Sequence, residues 1–163
     1  MSYMLCLNQS MKIALAPKVN VAPLTRSKPR PLKRDMILTN QDGLLRRNPS
    51  WRIIESVVRD LNAGYGNSFC CLQSLDKSYV QTLRGFNGWH LEWRVTTSPT
   101  QYVHLRAAYP GSSEKQVELK KHDFVSDGEH RDLMNEDEVI DAFRAFHNGG
   151  GPLGWLVWRE LAI

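Results

Sequence analysis

Apolar positions along the chain change their period more than once. Trp51, Ile54, Val58 and Leu61 recur at i, i+3, i+7 and i+10, the stripe of an amphipathic helix. Asn48 and Pro49 stand just ahead; asparagine caps helices and proline suits a first helical position. With Gly64 as a stop, a helix is predicted over 49–62. The period then drops. Residues 67–75 and 78–84 are short β-rich runs parted by Asp76-Lys77. Residues 88–96 alternate, with Trp89, Leu91, Trp93 and Val95 on one side and His90, Glu92, Arg94 and Thr96 on the other. A turn at 97–100 and a second alternating run at 101–108 follow. A further strand is predicted at 116–120, with 122–125 joining it or standing alone. The polar stretch 126–137 reads as a loop. Asn135 and Glu138 have capping-box spacing, and Met134 and Val139 are placed for a hydrophobic staple across that cap. Val139, Ile140, Phe143 and Phe146 form the apolar face of a second helix, which Asn148 and Gly149 end. A last strand is expected within 153–162.

No helical spacer separates the central strand runs, so their sheet should be antiparallel. The expected fold is α+β: an antiparallel sheet of four to six strands with two helices packed on one face. Faces of paired strands match only when the paired residue numbers sum to an even value. A sum of 196 sets Glu92 opposite His104 and Arg94 opposite Tyr102; a sum of 198 sets Glu92 opposite Arg106 and Arg94 opposite His104. Either register leaves a dry face for the helices and a charged face for solvent or a partner.

Composition narrows the class. The 163 residues are 42% hydrophobic and 23% charged, an ordinary balance for one soluble folded domain. No apolar run approaches the roughly 18 residues of a membrane-spanning helix. The net charge of +4 is unevenly placed: residues 1–36 carry seven basic groups and one acid, and residues 37–163 carry 14 basic groups and 16 acids. Pro17, Pro23, Pro29 and Pro31 mark the first segment as an extended or disordered basic arm. Its start is apolar, but Asn8, Gln9, Ser10 and Lys12 interrupt the stretch that a secretory signal needs. Residues 37–163 form a single domain of slightly acidic balance, and no nucleic acid is expected to bind it.

Candidate chemistry is sparse. His90, Glu92 and His104 share the charged face, as a metal set or a general base with its orienting carboxylate would. Arg94 and Arg106 crowd the same face, which favours an ionic ladder over a cation site. Cys70 and Cys71 are adjacent and face opposite sides of a strand, so they neither chelate together nor pair without strain. The Gly149–Gly154 run follows a helix and lacks the Lys-Ser/Thr of a phosphate loop. Asp127, Glu129 and Asp132 belong to an acidic stretch without the spacing of a calcium loop. That stretch offers a negative patch of the kind that mimics an anionic substrate. No catalytic residue, metal or cofactor is expected. The expected partner-contact residues are His90, Glu92, Arg94, His104, Arg106, Asp127, Glu129 and Asp132.

The stretch Gly88-Trp89-His90-Leu91-Glu92-Trp93-Arg94, the following Tyr102–Ala107 strand and the Glu138–Phe146 helix resemble a bacterial toxin-immunity family, as does the terminal Trp155…Trp158-Arg159-Glu160 segment. The likeness is to the first of the numbered immunity-protein families of polymorphic toxin systems, and covers about residues 48–162. It implies a cytoplasmic, non-enzymatic single-domain protein, encoded beside a delivered toxin, often a nuclease or deaminase, which it binds and blocks. The family shares no catalytic residues, and its toxin contacts vary. The alternative is a small adaptor or nucleic-acid-binding module that uses the basic arm.

Overall fold

Alternating side chains along short strands can bury only one face each, and here that rule builds most of the molecule. The computed structural model describes residues 35–161 apart from 65, 112, 122 and 123. The described strands are β1 (Met36–Asn40), β2 (Leu45–Arg47), β3 (Phe69–Ser74), β4 (Tyr79–Gly85), β5 (Gly88–Ser98), β6 (Gln101–Ala108), β7 (Gln116–Lys121), β8 (Phe124–Glu129) and β9 (Val157–Glu160). The helices are α1 (Trp51–Arg59) and α2 (Glu136–His147). Seven strands form one antiparallel sheet in the order β2-β1-β3-β4-β5-β6-β9, and β7 and β8 form a separate hairpin. The fold is therefore α+β, with both helices on one face of the sheet. Seven strands enter the sheet, one above the four to six expected, because residues 36–47 add β1 and β2. Met36, expected as the last residue of the arm, is instead buried at the start of β1; residues 1–34 of the basic arm lie outside the described residues.

The central register follows the sum of 198: Glu92 pairs with Arg106, Trp93 with Leu105 and Arg94 with His104. One face thus presents Leu38, Leu72, Val80, Leu91, Trp93 and Leu105 to Ile54 and Val58 of α1 and to Val139, Ile140, Phe143 and Phe146 of α2. Trp93 stands edge-on to Phe146 at 5.2 Å and to Trp158 at 5.9 Å between ring centres. A tryptophan buries about 150–250 Å², so this one residue ties the sheet to α2 and to the C-terminal strand.

Helix α1 is shorter than predicted. Ser50 is its N-cap, and Asn48 has a different task. Asn48 takes a left-handed backbone (φ 49°), which asparagine tolerates better than most residues. Its N–H donates to the Met36 carbonyl at 2.7 Å and its Oδ1 accepts from the Met36 N–H at 2.9 Å. Asn48 therefore sews the start of β1 to the entry of the helix. Helix α2 has the expected cap: Asn135 Oδ1 accepts from the Glu138 N–H at 3.0 Å, and Glu138 Oε2 accepts from the Asn135 N–H at 2.8 Å. Met134 and Val139 both lie in the core. Residues 126–137 are not one loop: 126–129 complete β8, and His130–Asp132 make a short 3-10 turn. No helix among the described residues is long and apolar enough to cross a membrane.

Candidate functional site

The second face of the sheet carries most of the expected contact residues, and its register sorts them into cross-strand rows. One row runs Leu45, Thr39, Cys71, Gln81, Glu92, Arg106, Arg159. The next runs Arg47, Ile37, Gln73, Tyr79, Arg94, His104. A third, toward the β4–β5 turn, contains Phe69, Leu83 and His90.

The β7–β8 hairpin folds over part of this face. Gly85 lets it approach: a Cβ there would lie 2.6 Å from Leu119 Cγ and 2.8 Å from the Lys120 carbonyl oxygen. The Phe86 N–H donates to that carbonyl at 2.7 Å, and Asn87 Nδ2 donates to the Glu118 carbonyl at 2.9 Å. Gly128 plays the same part over His90, where a Cβ would meet Nε2 at 2.8 Å. Arg106 Nη1 donates to the Asp127 carbonyl at 3.0 Å. Leu119 is 1% exposed and seals the seam.

Beneath this cover lies a closed ionic network. Glu92 Oε1 accepts from Arg106 at 2.7 Å (Nη2) and 3.1 Å (Nε). Its Oε2 accepts from Gln81 Nε2 at 2.6 Å and meets His104 Nε2 at 3.0 Å. Burial alone would raise the Glu92 carboxyl, but the His104 hydrogen bond and the Arg106 guanidinium outweigh it and hold the group below the usual carboxylate range. His90 is 2% exposed; burial first, then the Arg106 charge, pushes its pKa down to about 3. Its Nδ1 lies 3.3 Å from Ser126 Oγ, and its Nε2 is buried without a hydrogen-bond partner. Beside this network, Arg159 binds Glu129 at 2.8 Å and the wholly buried Asp132 at 2.5 Å. Arg131 reaches Glu129 at 2.7 Å and Glu114 at 3.0 Å.

These arrangements correct the expected surface. The face around His90, Glu92, His104 and Arg106 does not meet solvent freely: His90 and His104 are buried, and Glu92 and Arg106 side chains are each 13% exposed. Nor do Asp127, Glu129 and Asp132 form one negative patch. Only Asp127 is exposed, on the outer side of the hairpin, while Glu129 and Asp132 are neutralised by Arg131 and Arg159. The reason is the hairpin itself, whose pairing turns the acidic stretch inward. Two surface grooves lie between Leu44, Arg46, Arg52, Ile53, Ser56 and Val57, and between Leu75–Lys77 and Thr96–Pro99; neither includes His90, Glu92 or His104. Among the described residues, no three His, Cys, Asp or Glu side chains group as metal ligands do. Cys70 and Cys71 are both buried thiols, and burial pushes the Cys70 thiol up.

No family model, curated protein or solved structure matches the chain.

No described element covers the other half of the face. Arg94 lays its guanidinium 3.5 Å from the Tyr102 ring centre and 5.7 Å from that of Tyr79. Tyr79 in turn stands edge-on to His104 at 5.7 Å. Tyr102 is 42% exposed, and Ile37, Gln73, Tyr79 and Arg94 are half-buried. Tyr79 and Tyr102 were not among the expected contacts. The alternation of residues 79–83 carries the signal for Tyr79, since it places that ring on the side of Gln81 and Leu83.

Proposed function

We propose that this chain is an immunity protein that binds and occludes a cognate bacterial toxin, of nuclease or deaminase type, in the cytoplasm of the producing cell. One observation carries the reading beyond the family resemblance. Of the groups that would serve catalysis, Glu92 and His104 are paired with each other and His90 is shut beneath a hairpin, while no described element covers the tyrosine–arginine–aliphatic part of the same sheet face. Enzyme sites need a reacting group within reach of substrate; protein interfaces favour tyrosine and arginine anchors. On this reading the molecule acts by covering another protein and performs no reaction. Charge complementarity speeds the encounter, and a few anchors supply most of the affinity.

The test is co-expression with the product of the adjacent reading frame, which on this reading ends in a toxin domain. Co-purification of the pair and survival of the host are expected; killing that continues with both present overturns the reading. The alternative, an adaptor or nucleic-acid-binding module, draws on the seven basic residues of the arm. Removing residues 1–34, which leaves β1 whole, separates the two. Unchanged neutralisation supports immunity, and loss of polynucleotide binding supports the adaptor.

A further inference from the structure

We infer that the half of the second sheet face that no described element covers is the toxin-docking surface, and that the Tyr79–Arg94–Tyr102 stack is its anchor for a carboxylate side chain of the partner. The inference rests on the immunity reading for the identity of the partner, though not for the chemistry of the surface.

Of the other arginines on this face, the exposed Arg47 at the β2 end of the row has no carboxylate partner among the described residues, whereas the two beside the hairpin do. Arg106 holds Glu92, and Arg159 holds Glu129 and Asp132. Arg94 sits on the same side of the same sheet, two residues along β5 from Glu92, yet no described carboxylate lies within ion-pair distance of it. Its Nε is sealed from solvent without a hydrogen-bond acceptor. The Tyr102 ring stacks against the guanidinium, its centre 3.5 Å from Cζ, and the Tyr79 ring stands farther off at 5.7 Å. A guanidinium stacked on a ring through one face keeps its Nη edge for a planar acceptor, and the fork of two N–H donors matches a carboxylate. The flexible stem of an arginine carries about 2 kcal/mol of rotamer entropy. Stacking spends that ordering before a partner arrives, which is how a preformed anchor gains affinity.

The surroundings favour a protein over a polynucleotide. Ile37 and Gln73 continue the row toward β1, and Leu75 at the β3–β4 turn is 70% exposed. Such a surface can desolvate an ion pair by packing around it, as the rim of an interface hot spot does. A nucleic-acid groove would need a run of cations along it, and residues 37–163 carry more acids than bases.

The experiment uses the full chain and three probes: the product of the adjacent reading frame, a Glu-Glu-Trp peptide, and a short oligothymidylate. Arg94→Gln and Tyr102→Ala are compared with Arg52→Gln, on the exposed side of α1, after thermal melting has established that each is folded. Expected results are a loss of toxin affinity of about thirty-fold or more in Arg94→Gln, as for a central anchor, a smaller loss in Tyr102→Ala, and none in Arg52→Gln. The peptide should shift the Arg94 Nε–Hε and Tyr102 ring resonances saturably in the native chain, and the oligothymidylate should leave them in place. Toxin binding that survives Arg94→Gln undiminished overturns this surface and leaves the immunity reading standing. Failure of the toxin to bind at all, with the peptide still titrating Arg94, supports the surface and overturns the immunity reading. A shift of Arg94 by the oligothymidylate instead of the peptide overturns the assignment to a protein partner.

Discussion

Glu92 and Arg94 lie two residues apart on one strand and one face, and the molecule gives them opposite surroundings. Glu92 is enclosed by Arg106, His104 and Gln81 under the β7–β8 hairpin; Arg94 lies against Tyr102, with Tyr79 nearby, at the half that no described element covers. Alternation decides which face a side chain takes, with a period of two. It does not decide what lies above that face. The difference between the halves is made elsewhere in the chain, by two glycines and one leucine that let a hairpin land on one end of the sheet and not the other.

The strongest way to break the covered half is to remove its central acid. Glu92→Ala leaves the Arg106 guanidinium and His104 buried without their shared acceptor. Removing one partner of a buried ion pair costs about 3–5 kcal/mol, and Glu92 and Arg106 are both enclosed enough for that range to apply. Urea unfolding at pH 7.5 should show the loss as a lowered midpoint with an unchanged slope. A loss under about 1 kcal/mol would mean that water reaches the network freely.

The cover itself is the next target. In Gly128→Ala the added methyl meets His90 Nε2 at 2.8 Å and Cε1 at 3.0 Å, and in Gly85→Ala it meets Leu119 and the Lys120 carbonyl. The first neighbour is a buried ring and the second includes backbone, so neither yields easily. Overpacking of this kind costs about 1–3 kcal/mol. Amide hydrogen exchange should speed up along β7 and β8 and stay slow in β3 and β4, because the hairpin lifts before the sheet opens.

How far these halves could be read beforehand follows from the same physics. The α+β class, both helices and the strands from β3 to β6 are legible because each carries a long periodic run, as in Trp89–Val95. The Asn135–Glu138 cap is legible because its spacing is a local hydrogen-bond code. Strands β1 and β2 are not. They are short, and their clearest marker, Asn48, resembles a helix cap while serving as a strand clamp. The burial of His90 and Asp132 is not legible either, since it depends on Gly85 and Gly128 meeting residues 34 and 38 positions away in sequence. Arg94 and His104 were readable as sharing a face, and one of the two registers weighed was correct.

Acid should separate the halves as well. His90 has a depressed pKa of about 3 against an ordinary 6.5. Between those values the unfolded chain binds a proton that the folded chain refuses, so stability falls as pH drops below 6.5. The slope for one such group is about 1.4 kcal/mol per pH unit. Glu92 adds to it below its ordinary value of 4.5: the folded carboxylate stays ionised, the unfolded one protonates, and stability falls again in the same direction. Urea midpoints measured from pH 7.5 to 4 should therefore decline, and more steeply below about 4.5. In His90→Gln the branch between 6.5 and 4.5 should flatten, relative to the native chain, while the lower branch remains. An unchanged upper branch would show that His90 is not the group refusing the proton.

The smallest expected stability change is at Arg94, and its smallness is informative. Arg94→Gln removes two contacts between a cation and a ring, each worth about 0.5–1 kcal/mol at exposed sites, and strands no carboxylate. Stability should drop by about 1 kcal/mol or less. The matching change across the face, Arg106→Gln, takes a partner from buried Glu92 and should cost about 3 kcal/mol or more. The two substitutions are chemically identical and sit on neighbouring strands of one surface, so their difference isolates the effect of cover and internal pairing. Equal losses would mean that Arg94 is a structural arginine like its neighbour. A wide gap, with Arg94 nearly dispensable for folding, would leave an ordered guanidinium whose work lies outside the fold.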